Sequence, residues 1–98
     1  MFKILVEPNA IRDIQNAIDY YDNQLLGLGK RFEKEFEKHV LILTESPFFQ
    51  IRYDNVRCIP LKKFPFMIHY TVEESQKEIK IFAVFHTALN PETNWKKI

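Results

Sequence analysis

The sequence predicts an α+β domain of two layers, and three observations predict it. From Ala10 to Tyr21, and again from Leu28 to Leu43, apolar residues recur every three or four positions, the period of a helix with one buried stripe. From Val56 to His86, three apolar runs rich in β-branched and aromatic residues are separated by short polar or proline-bearing connections, which is the pattern of an antiparallel meander. Two amphipathic helices in succession need an apolar surface to cover, and the sheet is the one the chain offers. The predicted order is strand, helix, helix, strand, strand, strand, in a single domain over residues 1–98.

Phe2 to Val6 reads as a short strand, stopped by Glu7 and by Pro8, which has no amide proton to give to a ladder. Pro8 suits the first turn of a helix, where that proton would have had no partner. Ala10, Ile11, Ile14, Ala17, Ile18 and Tyr21 form the apolar stripe, with Arg12, Asp13, Gln15, Asn16 and Asp19 on the other side. Asp22-Asn23-Gln24 and the Gly27 to Gly29 stretch end this helix. A second begins near Leu28 and runs through Arg31, Phe32, Phe36, Val40 and Leu43 to about Glu45. Lys30/Glu33, Lys34/Glu37 and Glu35/Lys38 alternate in sign on its outer side. Ser46-Pro47 closes it, because a residue before proline is pushed out of the helical region. The short connection makes the two helices an antiparallel hairpin.

Phe48 to Asn55 reads as an irregular segment that ends in an Asp54-Asn55 turn. The meander opens with Val56, Cys58, Ile59 and Leu61. After Lys62-Lys63-Phe64-Pro65, Phe66, Ile68, Tyr70 and Val72 share one face, and Met67, His69 and Thr71 share the other. The polar Glu73 to Lys77 connection leads to the last strand, which His86 closes. Asn90-Pro91 predicts a turn, followed by one helical turn that folds Trp95 back on the body.

Ninety-eight residues suffice for one core. A net charge of +1 excludes a strongly basic nucleic-acid coat, although residues 1–51 carry a balance of −2 and residues 52–98 one of +3. Any anion-binding surface is therefore expected on the sheet half. A lone cysteine, Cys58, excludes an intrachain disulfide and any multi-thiolate metal cluster, and suits a reducing compartment. The start lacks the apolar segment of a signal peptide, and no apolar run approaches the ~18 residues of a membrane span. A soluble, cytoplasmic protein is expected. With no Gly-rich phosphate loop, no CxxC pair and no metal-ligand spacing among His39, His69 and His86, no cofactor or metal is called for.

The basic candidates for chemistry are Arg52, Arg57, Lys62, Lys63, His69, Lys80 and His86. Meander geometry is expected to bring Arg57, His69 and His86 toward one patch. Attack of a ribose 2′-hydroxyl on its phosphate needs a base, an acid and a charge stabiliser, which a histidine with arginine or lysine supplies. The plainer readings stand beside this one. Lys62-Lys63 suits a solvated corner, His69 a half-buried structural role, Cys58 the core, and Tyr20-Tyr21 the rim of the helix-sheet interface.

The chain resembles the RelE/ParE superfamily of bacterial type II toxin-antitoxin toxins, and within it the ParE-like, plasmid-stabilisation branch. The resemblance is carried by Ala10-x-x-Asp13-Ile14 with Ile18-Asp19-Tyr20-Tyr21, by Arg31-Phe32 and Leu43-x-x-Ser46-Pro47, and above all by the run from Val56-Arg57 through Ile59-Pro60-Leu61-Lys62-Lys63-Phe64-Pro65-Phe66 to Tyr70. Ile81-x-Ala83-Val84-Phe85-His86, Asn90-Pro91 and Trp95 continue it. It implies a growth-inhibiting toxin paired with a cognate antitoxin protein, through which the complex would reach operator DNA. ParE-like members inhibit DNA gyrase by protein binding, whereas RelE-like members cleave messenger RNA on the ribosome. For a ribonuclease the resemblance would have Arg57, Lys62 and Lys63 bind phosphates and His86 move the proton. Family members commonly follow the terminal histidine with two arginines, where this chain has Thr87-Ala88-Leu89. That departure favours the gyrase inhibitor, with a non-toxic antitoxin-binding domain as a further alternative.

Overall fold

The computed structural model describes residues 1–87. Its elements are β1 (Lys3–Val6), α1 (Pro8–Gln24), α2 (Leu28–Glu45), β2 (Ile51–Tyr53), β3 (Val56–Pro60), β4 (Phe66–Glu73), a 3-10 turn (Glu74–Gln76) and β5 (Glu78–His86). The expected turn at Asn90-Pro91 and the return of Trp95 lie outside the described residues. Both helices lie where the sequence puts them, except that α1 continues through Asp22-Asn23-Gln24, which were expected to end it; the other boundaries are chemical. Pro8 opens α1, Gly27 at φ +92° precedes α2, and Ser46-Pro47 follows it.

One sheet has the order β1-β5-β4-β3-β2. The meander is present, but the sheet is mixed and has five strands. β1 lies parallel to β5, from Lys3 opposite Glu78 to Val6 opposite Ile81. The Phe48 to Asn55 segment, expected to be irregular, contains β2, which turns through Asp54 in a left-handed conformation and pairs back on β3. Three residues with a shifted register leave too little alternation for a sequence pattern to reveal it.

The core lies between the hairpin and one face of the sheet. Ala10, Ala17, Phe32, Phe36 and Leu43 meet Ile59, Leu61, Ile68, Tyr70, Ile79, Ile81 and Val84. Phe66, Ile68, Tyr70 and Val72 do share this face, and Ile68, Tyr70, Ile79 and Ile81 are fully buried. Burying such an aliphatic side chain contributes about 1.5–3 kcal/mol. The Tyr70 hydroxyl donates to the Pro47 carbonyl at 2.6 Å, tying β4 to the exit of α2.

Three side chains depart from the expected pattern. Ile11, assigned to the buried stripe of α1, is 55% exposed. Asp13 turns inward and accepts the Val84 amide at 3.0 Å. Glu35, assigned to the outside of α2, is buried with His39 one turn later. The spacing of Ile79, Ile81 and Val84 in the core has a structural cause. Tyr70 pairs with Ile81 and His69 with Ala83, so Phe82 is an extra residue in β5. This bulge reverses the faces beyond it and brings Val84 and His86 to the helix side.

The two helices cross closely at Gly29, whose amide donates to the Asp22 carboxylate at 2.8 Å. A Cβ there would collide with the Ile18 carbonyl and the Asp22 carboxyl. Backbone cannot yield as a flexible side chain does. Gly29→Ala is therefore expected to destabilise the fold by about 1–3 kcal/mol, despite the ~1 kcal/mol that alanine gains in helix propensity. An unchanged urea midpoint for this variant would show that the crossing is loose.

Candidate functional site

The four residues singled out for chemistry do not converge. Arg57 sits on the helix side of β3, opposite Tyr70. Its guanidinium donates to the Phe49 carbonyl at 2.5 Å and lies 5.3 Å from the centre of the Phe48 ring. These contacts use Arg57 to hold the segment between α2 and β2 against the sheet. Lys62 and Lys63 are exposed in the connection between β3 and β4. Lys63 lines a cavity with α2, not with the other candidates. His86 is exposed at the end of β5, pairs with Phe66 and meets its ring edge-on at 5.2 Å. It lines a separate cleft with Asp13, Asn16, Ala17 and Tyr20 of α1.

His86 and the Lys62-Lys63 connection share one end of the sheet, since Thr87 donates to the Pro65 carbonyl. The aromatic group of Tyr21, Phe32, Phe64 and Phe66 fills the interior at that end. Arg57 pairs four residues further along β4, a separation of about 13 Å at ~3.3 Å per strand residue. The expected patch of Arg57, His69 and His86 does not form, because His69 alone of the three faces the opposite side of the sheet. The physical reason is twofold: period-two pleating separates Arg57 from His69, and the Phe82 bulge sends His86 to the helix side.

The uncovered face of the sheet holds a cluster that the sequence did not reveal. His69 Nδ1 is 2.9 Å from the Tyr53 hydroxyl and 3.5 Å from Cys58 Sγ, with the Phe85 ring centred 5.0 Å away. Cys58 and His69 are eleven residues apart in the chain but are cross-strand partners. Nothing short of the pairing register shows that they meet. A thiol beside an imidazole suggests a nucleophile, but the environment opposes it. Burial pushes the Cys58 thiol up to about 11, and burial with nearby Arg52 pulls His69 down to about 4. Burial, with Cys58 and Asp54 adding to it, also raises Tyr53 to about 12. At neutral pH the shifts leave the thiol and phenol protonated and the imidazole uncharged, the opposite of a thiolate–imidazolium pair. Among the described residues no group of three or more His, Cys, Asp or Glu side chains could hold a metal ion. No helix among them is long and apolar enough to cross a membrane.

The His69 environment has a pH signature. Its folded value, about 4, lies below the ordinary 6.5, so between these limits the unfolded chain binds more protons. The neutral ring's contribution is complete above pH ~6.5 and is lost as pH falls toward 4, amounting to roughly 3 kcal/mol. Asp13, raised by burial against the Val84 amide bond, acts in the opposite direction on acidification. The difference between wild type and His69→Gln isolates the histidine. Urea midpoints at pH 7.0, 5.5 and 4.5 are expected to show the variant less sensitive to acid; parallel declines would mean that His69 is not held neutral.

The sequence matches a family model described as the ParE toxin of the type II toxin-antitoxin system, parDE, over residues 4–91. No curated protein matches it. Among solved structures, the chromosomal ParDE toxin-antitoxin system from P. aeruginosa is similar, with a TM-score of 0.76, 19% identity, and coverage of 88% of this chain and 96% of that one. The intact E. coli RelBE toxin-antitoxin complex matches with a TM-score of 0.68 and 14% identity, over 88% and 96% of the two chains. The isolated E. coli RelE toxin matches with 0.67 and 12%, over 99% and 96%.

Proposed function

The chain belongs to the ParE toxin family of type II toxin-antitoxin systems, and from that premise we propose that it arrests growth by binding a protein, DNA gyrase, and cuts no RNA. The observation that carries this reading is the separation of the groups a nuclease would need. In-line transfer requires base, acid and charge stabiliser within hydrogen-bond reach of one phosphate. Here Arg57 is engaged with Phe48 and Phe49, Lys63 lines a cavity on α2, and His86 lines a cleft on α1. His69 is buried in its neutral form. A toxin that works by binding needs no such convergence.

The same reading gives the protein a cognate antitoxin. The similar structures come from a ParDE system and a RelBE complex, which supports a partner of that kind. The antitoxin would hold the toxin silent and carry the contact with operator DNA.

Two results are expected from purified components. The chain should inhibit negative supercoiling by gyrase, and His86→Ala should retain that inhibition within about threefold, since no proton transfer is involved. Normal supercoiling at about tenfold excess of chain over enzyme would contradict the proposal. Ribosome-dependent cleavage abolished by His86→Ala would replace it with the nuclease, with Arg57, Lys62 and Lys63 as its phosphate contacts.

A further inference from the structure

The unpaired N–H and C=O groups of an edge strand are a template for another strand. Among the described residues β1 ends the sheet, with β5 on one side and no strand on the other. The backbone bonds show which of its groups face outward. Lys3 N–H donates to the Lys77 carbonyl at 2.8 Å and Glu7 N–H to the Ile81 carbonyl at 2.9 Å, so the odd-numbered residues direct their amides to β5. Strand alternation then points the N–H and C=O groups of Ile4 and Val6 away from the sheet. α2 reaches this edge at Phe2, whose N–H donates to the Thr44 carbonyl at 3.1 Å, and Pro8 at the other end has no N–H. The open stretch is Lys3 to Glu7, and the backbone stays extended through Glu7, at φ −72° and ψ 155°. Ile4 and Val6 pack on the core, whereas Lys3 and Leu5 stand exposed on the other face, Leu5 at 47%. The pleat places Glu7 on their side. Neither Lys3 nor Glu7 has an ion-pair partner among the described residues.

Lys3-Ile4-Leu5-Val6-Glu7 is complementary to its own reverse. We propose that the occupant of this edge is β1 of a second copy of the chain, antiparallel and related by a two-fold axis at Leu5, which joins the two sheets into one. In this register Ile4 opposes the partner's Val6. These are the residues whose polar groups point outward, so each such pair exchanges both of its backbone hydrogen bonds. Between them Leu5 meets the partner's Leu5, and Lys3 meets the partner's Glu7 on either side, in the pairs where side chains approach most closely. Other registers fail on the same geometry. Centring on Ile4 sets Val6 against the partner's Phe2, whose N–H is already given to Thr44. Centring on Val6 sets Ile4 against the partner's Pro8, which has no N–H to give. Both leave Lys3 without its acid. The contact is isologous and closes at two copies. One short strand from each copy makes a small interface, so the dimer is reversible, with a dissociation constant on the order of 10–100 µM. The proposal is independent of the gyrase reading, none of whose residues lies in β1.

Sedimentation equilibrium of the full chain at concentrations from about 5 to about 500 µM tests it. A monomer–dimer equilibrium is expected, and Lys3→Glu, which sets acid against acid on both sides of the axis, should weaken it about tenfold. Glu7→Lys should do the same, and the exchange Lys3→Glu with Glu7→Lys should return the dissociation constant to within about threefold of the starting value. Circular dichroism melts check that each variant is folded. Leu5→Cys tests the register without altering charge. Its thiols should cross-link the dimer on mild oxidation, because a Cα separation of about 4.5 Å lies within disulfide range, and Cys58 is buried and does not compete. A monomer at every concentration overturns the proposal and leaves this edge to a strand from a different protein. A dimer indifferent to Lys3→Glu, one that the charge exchange does not restore, or one that Leu5→Cys does not cross-link also overturns it, since the contact would then lie on another surface.

Discussion

A two-helix hairpin can cover only one face of a five-stranded sheet, and most features of this protein follow from that constraint. On the covered face, aliphatic and aromatic side chains from β1, β3, β4 and β5 close against α1 and α2. β5 carries the heaviest burden, because β4 lies on one side of it and the short β1 on the other. β1 pairs only as far as Val6, and Glu7 adds one more bond to Ile81. The Val84 amide beyond it would have no ladder partner on that edge; the Asp13 carboxylate supplies one from α1. A single acid thereby satisfies the backbone and fixes the helix on the sheet.

The uncovered face must shield itself with its own side chains. Tyr53, Cys58, His69, Phe82 and Phe85 do so at the centre of the sheet, and their mutual burial keeps the thiol, imidazole and phenol neutral. The centre of this face is a small second core around the buried Cys58 and His69. Cations lie elsewhere, on α2 and on the β3–β4 connection, where they surround Glu35.

What the sequence made legible was whatever is decided locally. Pro8, Gly27 and Ser46-Pro47 set helix ends through backbone chemistry, and the alternation from Phe66 to Val72 set which face of β4 is buried. The parallel pairing of β1, the three-residue β2 and the Phe82 bulge depend on partners far along the chain, and no local period encodes them. The site was misread at those places: His86 changed face at the bulge, and Cys58 met His69 only through register. Glu35 was hidden differently, since its alternation with Lys38 imitates a solvated helix face.

The family membership and the dispersed cations are the two supports of the proposal that this toxin works by occupying a protein surface. The most direct test is a genome-wide map of RNA 5′ ends a few minutes after the chain is induced in bacteria without antitoxin. Arrested growth with no new ends inside translated codons is the predicted result. New ends clustered within codons would contradict the account and return Arg57, Lys62, Lys63 and His86 to a catalytic role, while normal growth with no new ends would contradict it in favour of a non-toxic antitoxin-binding domain.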